Sequence, residues 1–308
     1  MSSVISITLP IFLLIALGYA STLKGVTTKD NIRGIGVFVI RFALPALIFR
    51  ALSQRTVHEI MDAKYLTAYA VGSLISFATL FVFTRYAQKK GIASSALAGL
   101  GVSCSNSGFV GFPIAAMVVG QNAVVALSLT MIVENVMMLP LALGLAESES
   151  RREEPLHRIL FFVFRRLTSN PMVLAIIAGA AASLLDWKPP AALFRAIDLL
   201  ANASSPAALF AVGGALAGLS LKGLGLDVGR IVGAKLVFHP LAVGGMLLLL
   251  PSIDPDFKKA MIIFAASPML SIYPLVAQPY GEEGRAAAAL LGGTFFSFFT
   301  ISALLLAF

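Results

Sequence analysis

Gly101-Val-Ser-Cys-Ser-Asn-Ser-Gly-Phe-Val-Gly-Phe-Pro113 sits in the middle of an apolar run over residues 93–118, and Ala265-Ala-Ser-Pro-Met-Leu-Ser-Ile-Tyr-Pro274 sits inside another, 258–281. Each places serine, glycine and proline where a helix crossing a bilayer would be deepest. Proline removes a backbone donor and clashes with the preceding turn, and glycine lowers helix propensity further. Unwound backbone at that depth survives only where it is buried in protein or lines a cavity. The two stretches therefore predict two interrupted helices, at Asn106–Pro113 and Ser267–Pro274, that cross one another. An interruption exposes half-helix ends, whose N-terminal amides and dipole attract anions. Ser105, Asn106, Ser107, Gly108, Pro113, Ser267, Ser271, Tyr273 and Pro274 are accordingly candidate binding residues. Asn106 leads them, because its amide can donate to a carboxylate and accept from a freed backbone N–H.

Working outward, the composition leaves little room for anything but membrane. Of 308 residues 58% are hydrophobic and 12% charged, and the mean hydropathy is +0.90, far from a soluble domain. A run of about 20 apolar residues spans a bilayer, and such runs fill the chain. The spans read as 4–22, 32–52, 65–86, 93–118, 122–145, 169–186, 194–217, 229–250, 258–281 and 286–307, an all-α membrane protein of ten transmembrane helices. The first segment has no basic residues before it and reads as a retained helix rather than a cleaved signal. Between the fifth and sixth spans, Pro155–Arg166 is apolar with basic ends and reads as a helix lying at the interface.

The net charge of +8 does not point to nucleic acid, because the basic residues flank apolar segments instead of forming a stripe with aromatics. They act as orientation signals. Odd-numbered loops carry fourteen lysines and arginines and even-numbered loops seven, which puts both termini outside the cytoplasm. A single cysteine, Cys104, excludes an internal disulfide, and His58, His157 and His239 show no metal-ligand spacing. No metal, no cofactor and no catalytic constellation is expected, so the chain does not read as an enzyme.

Shifting the sequence by 161 residues superposes its landmarks. Pro10 meets Pro171, Gly18 meets Gly179, Pro45-Ala-Leu-Ile-Phe49 meets Pro206-Ala-Ala-Leu-Phe210, Gly72 meets Gly233, and Pro113 and Gly120 meet Pro274 and Gly281. Five spans per half is an odd number, so the halves enter the membrane from opposite sides. That is the inverted repeat from which many secondary transporters are built, with sites at interrupted helices near the midplane. The units are a first repeat over 1–145, a cytoplasmic connection over 146–168 and a second repeat over 169–308.

Four ionisable residues lie inside spans, where each costs about 2.5 kcal/mol or more unless paired or hydrated. Arg41 is about nine residues deep and shares a face with Pro45, which suits either an anion contact or a structural ion pair. Glu134 is central in the fifth span, as a partner for Arg41 or a proton carrier. Lys235 lies near the cytoplasmic end of the eighth span, where its ammonium can snorkel to water or take part in proton coupling or an ion pair. His239, just before Pro240, reads as a packed histidine or a proton relay.

These residues also carry a resemblance. Ser105-Asn-Ser-Gly-Phe-Val-Gly-Phe-Pro-Ile114 resembles the fourth-helix motif of the auxin efflux carrier family. Phe42–Phe49, Ser205–Gly214 and Lys235-Leu-Val-Phe-His-Pro240 resemble its second, seventh and eighth helices, and Ser267–Gly281 looks most like the malonate-carrier branch. The resemblance implies two crossing broken helices, the fourth and ninth, in inverted five-helix repeats, with Asn106, Pro113 and Pro274 at the crossing. It implies transport of small organic anions, such as the dicarboxylate malonate, with the first, second, sixth and seventh helices as a support against which the rest moves like an elevator. It also implies a bacterial inner membrane. The expected partners are an organic anion and the lipid bilayer, with a homodimer as the candidate oligomer and no nucleic acid. The alternative is a sodium-coupled bile-acid-type carrier on the same plan, but the crossing offers serine, asparagine and tyrosine and no carboxylate cluster of its own. Any coupling is therefore expected to involve protons at Glu134 or His239.

Overall fold

The computed structural model describes residues 2–55, 62–148, 168–217, 225–250 and 253–308, with side chains from Leu9 onward. The interfacial helix expected over 155–166, most of the 146–168 connection, His58 and His157 lie outside the described residues. Among those residues the chain is all helix, apart from one isolated antiparallel bridge between Ser105 and Met269. We number the helices α1 Ser2–Leu23, α2 Lys29–Leu52, α3 Ala63–Ala87, α4 Ile92–Ser103, α5 Ser107–Val119, α6 Asn122–Ser148, α7 Pro171–Leu184, α8 Ala191–Leu216, α9 Leu226–Leu249, α10 Pro255–Ala266, α11 Tyr273–Ala277 and α12 Glu283–Leu306. Six of these, α2, α3, α6, α8, α9 and α12, are long and apolar enough to cross a membrane.

Short polar side chains start the helices. Thr28 and Asn31 form a reciprocal capping box before α2. Asp62, Asn170 and Asp254 each accept from backbone N–H groups in the first turns of α3, α7 and α10. Each satisfies donors that a helix end leaves orphaned. Large apolar side chains such as Leu13, Leu17, Leu248, Phe295 and Phe299 face outward, the arrangement a hydrocarbon solvent favours.

Among the described residues, four of the five π turns precede a proline. They occupy Val39–Ala43, Ser107–Gly111, Val133–Met138 and Ala234–Phe238, and each ends two residues before a proline: Pro45, Pro113, Pro140 and Pro240. A proline ring clashes with the carbonyl four residues back and leaves it unpartnered. One extra residue in the preceding turn relieves that clash without breaking the helix.

The first interruption consequently falls elsewhere than expected. Pro113 lies inside α5, and the helix instead stops at Ser103, with Cys104 extended at φ −109°, ψ 128°. Non-helical backbone covers Cys104–Asn106 rather than Asn106–Pro113. What holds it there is a contact remote in sequence: the Asn106 N–H donates to the Pro268 carbonyl at 2.7 Å, beside the Ser105–Met269 bridge. The second stretch leaves helix at Ser267 and resumes at Tyr273, close to the expected bounds.

Close approach defines the rest of the packing. α1 lies against α8 and α7 against the second half of α2. A Cβ on Gly18 would collide with the Phe210 carbonyl oxygen, and one on Gly179 would stand 3.3 Å from the Phe49 carbonyl oxygen. α4 and α10 lie deep in the core, with Leu97, Leu100, Val102, Phe264 and Ala265 fully buried.

Candidate functional site

The extended segment Cys104–Asn106 has a charged flank. Ser105 donates its backbone N–H to Glu134 Oε1 at 2.9 Å, while its Oγ accepts from Lys235 Nζ at 2.5 Å. Glu134, 5% exposed on the π turn of α6, receives two further donors. Tyr69 Oη donates to it at 2.9 Å, and Ser107 Oγ lies 2.9 and 3.1 Å from its two oxygens. The Ser105 N–H and both hydroxyls can donate to its oxygens.

Lys235 sits fully buried on the π turn of α9. Its ammonium has three protons and three acceptors: Ser105 Oγ, His239 Nδ1 at 2.8 Å and the Ala265 carbonyl at 3.2 Å. His239 Nδ1 also lies 3.1 Å from the Ala265 carbonyl and Nε2 lies 3.0 Å from Ser73 Oγ; facing a protonated Lys235, Nδ1 accepts and Nε2 carries the ring proton. The Tyr69 ring lies edge-on to the imidazole at 5.9 Å. Lys235 therefore does not snorkel, because a pocket of matched acceptors holds it in the core. Glu134 likewise finds Tyr69, Ser105 and Ser107 instead of Arg41.

A cavity of about 230 Å³ opens at this segment, lined by Ser105, Asn106, Ser107, Gly108, Phe109, Glu134, Asn135, Asn170 and Ser271, with apolar walls from Ile40, Leu44, Met131 and Ile272. It is somewhat smaller than drug-sized pockets of roughly 300–1,000 Å³ and suits a ligand of a few heavy atoms. Three features make it receptive to an anion. Asn106 is 4% exposed, and its Nδ2 has no hydrogen-bond partner among the described residues. α5 begins at Ser107, so its first N–H groups lack intrahelical acceptors and its dipole is positive there. Ser107 and Ser271 add hydroxyls.

A second cavity of about 470 Å³ between α2 and α8 shares Ile40, Phe109, Ser271 and Ile272 with the first and carries Lys29 and Arg33. A third, about 330 Å³, lies at the other end of α2 and is lined by Arg50, Arg55, Gln121 and Asp198. There Arg50 pairs with Asp198, and Arg55 reaches Asn122, which reaches Asp256.

Of the residues nominated from sequence, the cavity gathers Ser105, Asn106, Ser107, Gly108, Ser271 and Glu134. Arg41 lies exposed on the π turn of α2, and its neighbour Ile40 rather than Arg41 itself lines the cavity. Tyr273 is buried with its hydroxyl on the Leu97 carbonyl at 2.9 Å, and Ser267 bonds back to Ile263 at 2.8 Å. Pro113 and Pro274 are not among the lining residues. Lys235 and His239 stand behind Ser105. Sequence reasoning did not single out Tyr69, buried in α3, or Asn170, which caps α7 and also donates to Asn135 at 3.2 Å.

Over residues 3–305 the chain matches the family described as membrane transport protein. It is 30% identical over 306 residues to a Rhizobium meliloti (strain 1021) protein named "Putative malonate transporter", covering 99% of this chain and 96% of that one. It is 25% identical over 291 residues to "Uncharacterized transporter YfdV" of Escherichia coli (strain K12), 92% of this chain and 90% of that one. It is 26% identical over 251 residues to "Lysosomal cholesterol signaling protein" of Mus musculus, 78% of this chain but 28% of that one. With six helices long and apolar enough to span a bilayer, the chain is a multi-pass membrane protein, and it belongs to the membrane transport protein family, that of the auxin efflux carriers.

Proposed function

We propose that the protein carries a small organic anion, a dicarboxylate such as malonate, across a bacterial cytoplasmic membrane by elevator-type alternating access. The observation that carries this reading is the buried, unpartnered Asn106 amide on a small cavity at the N-terminus of α5. A buried donor without an acceptor costs about 1–3 kcal/mol, which a ligand carboxylate recovers with a charge-assisted bond. The name of the Rhizobium relative supports malonate.

Ten spans in two inverted repeats, 1–145 and 169–308, form the scaffold in this reading, with the interrupted α4–α5 and α10–α11 crossing at the site. Paired features 161 residues apart support the repeat. Gly18 abuts Phe210 as Gly179 abuts Phe49, and Gly120 and Gly281 both close helices with positive φ, 60° and 71°. α1, α2, α7 and α8 form the support against which the site-bearing helices move. The cavity with Lys29 and Arg33 is then the open approach, and the Arg55–Asn122–Asp256 chain closes the opposite end. The termini lie outside the cytoplasm.

The test is uptake of radiolabelled mono- and dicarboxylates into proteoliposomes, paired with equilibrium binding. Asn106→Ala should weaken binding of the carried anion by about 10- to 100-fold, the worth of one bond to a charged group, while the melting temperature changes little. A well-folded Asn106→Ala protein with unchanged affinity would refute the assignment.

A further inference from the structure

We propose that the Lys235 ammonium is a tethered cation that holds the two non-helical segments together, in the place that a dissociable monovalent cation would otherwise fill. The position, more than the burial, argues for this. Nζ takes one ligand from each segment's neighbourhood: Ser105 Oγ from Cys104–Asn106, and the Ala265 carbonyl from the end of α10. α10 ends at Ala266, so the Ala265 carbonyl is among the last four of its helix, which have no intrahelical donor and carry the negative end of the dipole. α4, ending at Ser103, brings a second C-terminal end to the same region. Two helix C-termini and the Glu134 carboxylate, one peptide away, make the crossing a place that attracts a cation. His239 Nδ1, 2.8 Å from Nζ, supplies the third acceptor in the tautomer that carries its ring proton on Nε2.

A packing lysine needs only to be satisfied. This one has all three ammonium protons on acceptors, two of which belong to the extended segment Cys104–Asn106 and to the C-terminal end of α10. Because the charge is covalently part of α9, it cannot leave on either side of the membrane. Lys235 is thus a positioning residue, and the crossing requires no sodium.

The experiment deletes the cation and returns it in free form. Lys235→Ala removes Cγ through Nζ, which is n-propylammonium, and leaves a void of that shape. Lys235→Met fills the same space without charge and leaves no void. Melting of both purified variants and of the wild type is measured with and without propylammonium chloride, against 1-propanol and choline chloride as neutral and bulky controls. Propylammonium should raise the melting temperature of Lys235→Ala alone, because a ligand that binds only the folded state stabilises it. In proteoliposomes, carboxylate uptake should fall about tenfold or more in both variants, the worth of one or more bonds to a charged group, and propylammonium should restore it in Lys235→Ala only. Wild-type uptake should be the same in sodium, potassium or choline, a measurement that needs no variant to fold.

Any of three results overturns the proposal: wild-type uptake that requires sodium, a Lys235→Ala protein that transports like the wild type, or a folded Lys235→Ala protein indifferent to propylammonium. The uptake arm rests on the transport reading above, whereas the melting arm needs no substrate. A propylammonium-specific rise in melting without wild-type uptake of any carboxylate upholds the tethered cation and overturns the transport reading instead.

Discussion

Glu134 and Lys235 lie on either side of one serine, so removing one charge should harm the protein more than removing both. Glu134→Gln keeps shape and one acceptor oxygen but puts an amide NH₂ where a carboxylate oxygen received Tyr69 or Ser107. Losing a bond to a charged group costs about 1.5–3 kcal/mol. The larger loss is indirect: Lys235, fully buried, is left without its counter-charge, and breaking a buried pair from one side costs roughly 3–5 kcal/mol. Lys235→Met should cost a similar amount by stranding the carboxylate. The double variant Glu134→Gln/Lys235→Met buries no charge, so its penalty should fall below that of either single, which requires a coupling larger than the roughly 3–5 kcal/mol that one single costs. Cys104 provides the assay. It is the chain's single cysteine, is 2% exposed and adjoins Ser105, so a thiol-reactive fluorogenic dye reports the opening of this segment during a thermal ramp. The expected order of midpoints is wild type, then double variant, then either single. If Glu134→Gln melts with the wild type, or the two penalties simply add in the double variant, the two charges do not sustain one another and this reasoning fails.

Three further outcomes follow from the packing and the topology. Gly18→Ala should destabilise the protein by about 1–3 kcal/mol through forced separation of α1 from α8, whereas Gly34→Ala, whose Cβ meets nothing within 4 Å, should not; thermal melts of the two decide it. A cysteine at Lys188 should react with a membrane-impermeant maleimide in intact cells and one at the exposed Val26 should not, the buried Cys104 giving little background; the reverse pattern would invert the topology. Tyr273→Phe removes one bond to the Leu97 carbonyl, which keeps its place in the α4 ladder, and should cost about 0.5–1.5 kcal/mol of stability while leaving ligand affinity within about threefold. Isothermal titration showing a larger loss would place Tyr273 in the site.

Hydropathy made the class of fold legible, since a bilayer forces long apolar runs and inward polar groups whatever the tertiary contacts. The serine- and asparagine-rich segment 105–108 was legible as a place needing a cavity or a partner, since polar groups at that depth need one or the other, and a cavity lies beside it. Proline misled on where the helix stops. From sequence Pro113 looks like the break, yet a π turn absorbs it, and the actual break is imposed by the Asn106–Pro268 hydrogen bond across 162 residues of chain. No local rule contains that contact. Lys235 was misplaced because distance from a span's end is visible in sequence, whereas the three acceptors that hold it inward come from α4's end, its own helix and α10.

The pairing of Glu134 with Lys235 has a consequence for the proposed mechanism. If the site-bearing helices travel along the membrane normal, every fixed charge on them travels too, and moving one elementary charge across the field is worth about 2.3 kcal/mol per 100 mV. A lone buried lysine would tie the unloaded carrier to one side at resting potential, and a lone glutamate would tie it to the other. Both charges sit beside the Ser105 peptide, one on its N–H and one on its Oγ, so together they add nearly nothing to that electrical work. The field then acts on the charge of the carried anion and on little else. Neutralising only one of the pair should therefore do more than destabilise the fold: it should make uptake depend on membrane potential in a new way, with opposite sign for Glu134→Gln and Lys235→Met. Uptake measured at potentials clamped with valinomycin and graded potassium tests this. Identical voltage dependence in the wild type and both variants would mean that these charges do not cross the field, and the pair would then belong to a static part of the protein.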